Sequence, residues 1–171
     1  MASTIVAATL TVTLTESITL NGVNQGNTNT FTIGSIANAS RSIITCLESA
    51  EVAILAVATT DSTNLTKSYL AGQFDEDNVR YIRITNLDDA NYIYLTMRTS
   101  GDSGAQEVAM KLDKGCSFIY GVDVDSGTAS TIRGRASALG VDADSTIDNL
   151  IDIVGIANGT DVDLEVFVAT V

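Results

Sequence analysis

Apolar and polar residues alternate at every second position in several short stretches of this chain, and this period predicts strands rather than helices. The clearest stretch is residues 9–15, where Leu and Val share one face and Thr the other. Further stretches follow at close spacing, at residues 41–47, 51–57, 79–85, 92–98, 106–112, 116–120, 151–157 and 162–168. We therefore predict an all-β fold of about nine or ten short strands, an antiparallel β-sandwich of jelly-roll type.

Turn residues divide these strands. Asn21-Gly22 supplies the positive φ of a tight turn, and the polar residues 21–30 predict an exposed loop before Phe31 and Ile33 resume the core. Residues 151–157 and 162–168 flank a polar tetrad and predict a C-terminal hairpin. Helix signals are few, at residues 61–70 and 146–154, and in the second stretch the Ile and Val content favours a strand.

The length of 171 residues suits one domain with its own hydrophobic core. We expect residues 1–171 to form a single β-sandwich, with residues 1–15 as an N-terminal arm or strand that contacts a neighbour. The amphipathic strand at residues 4–15 is well placed to add to the sheet of another chain.

Charge narrows the choice of partners. The chain has 21 acidic and 9 basic residues, a net charge of −12. Such a surface repels polyphosphate, so we expect no nucleic-acid partner. The longest apolar run, residues 52–58, is too short to span a membrane, and no signal-like segment opens the chain. We expect a soluble protein made in a cytoplasm, with no membrane partner.

The sequence contains no motif that supports a catalytic function. Residues 100–105 (SGDSGA) superficially resemble the nucleophile loop of trypsin-like proteases, but the chain has no His to accept the serine proton. A turn between two strands is the simpler interpretation. We therefore predict no catalytic residues and no enzymatic activity.

Metal and cofactor sites are also not expected. Closely spaced Asp pairs occur at 75/77, 123/125, 142/144 and 161/163, but none completes a known calcium loop, and solvated turns explain them. Paired acids suited to a glycosidase are missing, since most acids lie in polar stretches. Cys46 and Cys116 are expected to be buried thiols, with a disulfide as the alternative.

Two sets of residues are candidates for contact with a partner. The first is the apolar face of the N-terminal strand, comprising Ile5, Val6, Leu10, Val12 and Leu14. The second is a basic spot formed by Arg80, Arg83 and Arg98, if adjacent strands bring them together. Salt bridges with the nearby acids, or packing within the chain, are the alternatives.

Three segments carry a resemblance to a known class of protein. They are residues 79–95 (VRYIRITNLDDANYIYL), 111–118 (KLDKGCSF) and 164–168 (LEVFV), together with the Thr-rich opening strand. In these segments the chain resembles small β-sandwich virion structural proteins of tailed marine bacteriophages, of the capsid cement or decoration type. The motifs are structural and bring no active-site residues with them.

The resemblance implies a non-enzymatic subunit of the virion that binds the outer capsid surface and stabilises the shell. Its expected partners are other copies of itself, as a homotrimer, and the major capsid protein or another virion protein. A tail or fibre-associated adaptor is the first alternative. A carbohydrate-binding module is the second, since Tyr92 and Tyr94 share one face of a strand and could stack on sugar rings.

Overall fold

The computed structural model describes residues 6–58, 73–75, 79–99, 106–121 and 150–171. All the regular secondary structure in these residues is β. The strands are β1 (Ala8–Thr15), β2 (Thr19–Leu20), β3 (Val23–Asn24), β4 (Thr28–Ile36), β5 (Asn38–Cys46), β6 (Val52–Ala58), β7 (Gln73–Asp75), β8 (Val79–Asn86), β9 (Ile93–Thr99), β10 (Gln106–Leu112), β11 (Ser117–Gly121), β12 (Leu150–Ala157) and β13 (Val162–Thr170).

Nine of these strands form two packed sheets, in the orders β11-β8-β13-β5 and β10-β9-β12-β6-β7. The antiparallel pairs are nested: β9 pairs with β10, β8 with β11, β6 with β12, and β5 with β13. This nesting of hairpin-like pairs is the jelly-roll arrangement. The predicted all-β, antiparallel jelly-roll sandwich is confirmed, with the short strand β7 added to β6 in parallel.

The core lies between the sheets and follows from the period of two in the sequence. On β13 the inward residues Val162, Leu164, Val166 and Val168 are all buried, as the alternation predicts. Residues of β9 from the opposite sheet, among them Ile93, complete the same cluster. Burial of these aliphatic side chains is the main favourable contribution to the fold.

The predicted C-terminal hairpin is wrong. β12 pairs with β6 and β9, whereas β13 pairs with β5 and β8 in the other sheet. Each strand therefore has two antiparallel neighbours already and no edge left for the other. The connection at Asn158-Gly159 crosses between the sheets, with Gly159 at a φ of 97° and the Asn158 amide donating to the Tyr92 carbonyl. Of the two helix signals, residues 150–154 belong to a strand, and residues 61–70 and 146–149 lie outside the described part.

Strands β1 to β4 form a separate two-stranded ribbon. The pairing keeps one register from Leu10 opposite Ile33 to Leu20 opposite Val23. The chain reverses at Asn21-Gly22, with φ of 51° and 78°, so the predicted tight turn is confirmed. Residues 21–30 are largely exposed as expected, but residues 23–24 and 28–30 belong to the returning strands β3 and β4 rather than to a loop, because backbone pairing satisfies their polar groups without apolar side chains.

Candidate interaction surface

The base of the ribbon packs on the outer face of the β11-β8-β13-β5 sheet. Ile33 and Ile36 are buried there against Tyr81 and Ala169. Leu10 and Val12, two of the residues expected to face a partner, pack against this second cluster and are half-buried within their own chain. Burial raises the pKa of the Tyr81 hydroxyl, consistent with the apolar surroundings.

Beyond this base the apolar side chains of the ribbon are exposed. We call residues 14–29 the ribbon tip. Its apolar side chains share one face, because Leu14, Ile18 and Leu20 are spaced by even numbers and Val23 lies opposite Leu20. These four side chains are between 53% and 59% exposed. In the sequence, the alternation of apolar residues in the first strand extends through Ile18 and Leu20. This continued alternation is the signal from which the ribbon tip could have been predicted.

The N-terminal residues beside the ribbon complete the first predicted set. Val6 is 83% exposed, and Ile5 lies outside the described residues. Among the members of that set that the structure describes, Val6 and Leu14 are exposed. One edge of strand β1 is paired with β4. A neighbouring chain could therefore form backbone hydrogen bonds with β1 only at its other edge.

The opposite face of the ribbon carries hydroxyl groups. Thr11, Thr13 and Thr15 lie directly across from threonines of β4. The Oγ1 atoms of Thr13 and Thr30 are 3.2 Å apart, within hydrogen-bonding distance. Cross-strand threonine pairs of this kind stabilise an antiparallel pair and leave hydroxyls free to bind further groups. The ribbon is thus amphipathic, with one apolar and one hydroxyl face.

Charge is almost absent from the ribbon. Of the 30 charged side chains in the protein, Glu16 alone lies within the first forty residues. The rest of the chain carries nearly all of the net charge of −12. The ribbon is therefore a nearly neutral projection from a strongly acidic body.

The three arginines expected to form a basic spot do not meet. Arg80 and Arg83 lie on β8, whereas Arg98 lies on β9 in the other sheet. Arg83 forms an ion pair with Glu165, which Arg41 also contacts through its Nε at 2.7 Å. The Arg41 guanidinium, followed by Arg83, lowers the pKa of the Glu165 carboxyl. Salt-bridge formation, the alternative interpretation, describes Arg83 best.

Arg98 lies among three carboxylates. It forms ion pairs with Glu51, with Glu107 at 3.2 Å and with the buried Asp152 at 3.7 Å. The hydrogen bond to Glu51 is the largest cause of the raised pKa of Arg98. The cluster is a structural network in which the Arg98 guanidinium partly neutralises the buried Asp152 carboxylate, since a buried charge needs a partner.

The tyrosine pair considered for sugar binding has an unsuitable geometry. The Tyr92 and Tyr94 rings meet edge to face, with centroids 5.3 Å apart. The Lys111 Nζ lies 4.3 Å from the Tyr92 ring centroid and covers one of its faces. Tyr94 is exposed, but two perpendicular rings do not make a flat platform for a sugar.

The two cysteines and the Asp161/Asp163 pair lie at separate places in the fold. Both cysteines are free: Cys46 is buried as predicted, whereas Cys116 is exposed, because it lies in the turn between β10 and β11. Burial raises the pKa of the Cys46 thiol to about 11. The Asp161 and Asp163 carboxylates each accept a hydrogen bond, from the Glu48 amide and the Thr45 hydroxyl.

Several of the other candidate catalytic and metal-binding residues lie outside the residues that the structure describes. Residues 100–105 and the Asp residues at 77, 123, 125, 142 and 144 fall outside the described part of the chain. Within the described part, no three His, Cys, Asp or Glu side chains are grouped closely enough to hold a metal ion. In the same residues no helix has the length and apolar character needed to cross a membrane.

Comparison with known proteins returned no relative. No family model, curated protein or solved structure matches this chain. The fold and the surfaces described above are therefore the basis for assigning a function.

Proposed function

We propose that this protein is a non-enzymatic structural subunit of a bacteriophage particle that binds the outer capsid surface and stabilises the shell. The observation that carries the proposal is the shape of the chain, a jelly-roll sandwich from which an amphipathic ribbon projects with its tip bare. Jelly-roll sandwiches are recurrent building blocks of viral shells. The resemblance of residues 79–95, 111–118 and 164–168 to phage decoration proteins points the same way.

The mechanism would be cementing. A subunit that lies across a junction between capsid proteins buries apolar and backbone hydrogen-bonding surface from both sides, and so opposes their separation. The acidic body suits an external position, because packaged DNA would repel it from the interior. Its capsid partner would be the major capsid protein or another virion protein.

The experiment is to locate the protein on phage particles. Particles released from the culture that expresses this chain would be banded by density and analysed by peptide mass spectrometry. Immunogold labelling of the same particles would then identify the part that carries it. Label over the head supports capsid decoration, and label on the tail identifies the adaptor alternative. Absence of the 17.9 kDa chain from the particles would overturn both.

A glycan array separates the carbohydrate-binding alternative. We expect no binding by the wild-type protein, for the geometric reason given above. Binding that is lost on Tyr94→Ala would favour the sugar module over the virion subunit, since Tyr94 is the exposed ring of the pair.

A further inference from the structure

The chain contains two Asn-Gly dipeptides, and their surroundings in the fold differ. Asn21-Gly22 and Asn158-Gly159 are both exposed, and both glycines have a positive φ. In an Asn-Gly pair the glycine nitrogen can attack the side-chain amide of the asparagine, because glycine has no side chain to obstruct the approach. Ring closure requires the backbone to rotate, so its rate depends on how readily each turn opens.

The second dipeptide is held to the segment that precedes β9. The Asn158 amide donates to the Tyr92 carbonyl at 3.1 Å, and Asn91 Nδ2 lies 3.0 Å from the hydroxyl of Thr160. The Gly159 backbone packs on the same side chain, since a Cβ built there would lie 2.8 Å from Asn91 Oδ1. Each hydrogen bond shifts an opening equilibrium by about two- to tenfold, so this turn opens rarely.

The described residues give the first dipeptide no such anchor. The hydrogen bonds described in the ribbon tip join one part of the ribbon to another, as from the Gln25 amide to the Ile18 carbonyl at 2.9 Å. Nothing lies within 4 Å of a Cβ built on Gly22. A two-stranded hairpin without a packed face is marginally stable in water. The turn at Asn21 can therefore open without any change in the sandwich.

We propose that Asn21 is a site of spontaneous deamidation. The Gly22 backbone nitrogen attacks the side-chain amide carbon of Asn21 and forms a new C–N bond, while the bond from that carbon to the side-chain nitrogen breaks. The Gly22 amide proton leaves with the side-chain nitrogen as ammonia. Water then opens the succinimide at either of its carbonyls and gives aspartate or isoaspartate at position 21, with no oxidation or reduction.

Either product changes the ribbon tip. Both add a negative charge to a tip in which Glu16 is the one charged residue. Isoaspartate also lengthens the backbone of a two-residue turn, whose geometry depends on its length, and so disturbs the pairing of Leu20 with Val23. The consequence for binding rests on the proposed function: a subunit that deamidates before attachment presents a charged, poorly paired tip to the capsid.

The test is peptide mass spectrometry of the purified full chain, sampled over time at neutral and at mildly alkaline pH. We expect the amide-to-acid mass gain to accumulate at Asn21 faster than at Asn158 by a factor of about ten or more, because two hydrogen bonds restrain the second turn. Labelling by an isoaspartyl methyltransferase should rise with it. In urea the two sites should convert at similar rates, since the fold alone distinguishes them.

The same chain supplies the controls. Asn24 lies in the same tip with the same exposure, but Gln25 follows it in place of a glycine. Asn21→Gly keeps a turn sequence that accepts positive φ and has no side-chain amide to lose, so conversion in this peptide should vanish. Equal native rates at Asn21 and Asn158, conversion of Asn24 as fast as Asn21, or an unmodified Asn21 in the native chain would each overturn the inference.

Phage particles separate this inference from the proposed function. A contact that covers the closed tip opposes its opening, so Asn21 in particle-bound protein should convert more slowly than in free protein of the same age, by a factor of about ten or more. Equal rates on particles and in solution would reject the tip as the contact with the virion and would leave the deamidation site in place.

Discussion

Asn86 offers the sharpest test of how the sandwich is held together. Its side chain is fully buried at the end of β8. The amide nitrogen donates to the carbonyl oxygens of Asn91 and Leu112, at 3.0 and 3.3 Å, and the amide oxygen accepts from the Asp88 N–H at 2.9 Å. One side chain thus ties the loop after β8 to the end of β10.

Asn86→Asp keeps the shape and removes the donor. The acceptor role toward Asp88 survives, but the carbonyls of Asn91 and Leu112 lose their partner and face a carboxylate. The hydrogen bond to the Leu112 carbonyl is buried, and leaving a buried carbonyl unpaired costs about 1–3 kcal/mol, so the variant should lose at least that much at pH 7. In a chain of this size each kcal/mol lowers the melting temperature by about 2–4 °C.

The pH dependence has a defined sign. Burial raises the folded-state pKa of the new carboxyl above its unfolded value of about 3.9. The variant should therefore be closest to wild type below about pH 4, where the protonated acid can donate to one carbonyl, and should lose stability as the pH rises through the folded-state pKa.

Urea and thermal denaturation between pH 3.5 and 7.5 measure both effects. Asn38→Asp on β5 is the control, because Asn38 is exposed and gains the same charge. A melting temperature for Asn86→Asp within about 1 °C of the control at pH 7 would refute the reasoning, since a buried carbonyl without a donor costs more than that.

Further predictions concern packing, charge and thiols. Gly155→Ala should cost about 1–3 kcal/mol in urea denaturation, because its Cβ would lie 2.6 Å from Ile54 Cδ1, and adding Ile54→Val should recover part of the loss; additive costs would contradict this. Glu165→Gln should lower the melting temperature at pH 7 and progressively less as the pH falls, since the lowered pKa means that the carboxylate stabilises the fold above about pH 4.5 and loses that effect on protonation. In the native protein a thiol reagent should modify Cys116 and not Cys46, and Cys116→Ser should show no reactive thiol until denaturation.

Local features of the fold were predictable from sequence because they depend on near neighbours. A period of two decides which side chains of a strand share a face, so the inward set on β13 and the alternation on β9 follow directly. The turn at Asn21-Gly22 was predictable for the same reason, since positive φ depends on the residues that adopt it.

Features that depend on distant pairing were not predictable. The expected hairpin of the last two strands failed because adjacency in sequence does not say which sheet a strand joins, and both strands found two other neighbours. Arg83 and Arg98 appeared close along the chain, yet they lie in different sheets and pair with acids that are far away in sequence.

The candidate interaction surface combines both kinds of information. The sequence by itself determined that the N-terminal strand is amphipathic and nearly uncharged, because composition and spacing are local properties. Only the tertiary structure decided that Leu10 and Val12 pack against the cluster that contains Ile33 and Tyr81, whereas Leu14 extends beyond it. The physical reason is that burial belongs to the folded chain as a whole, and one apolar stripe can be core at its base and open surface at its tip.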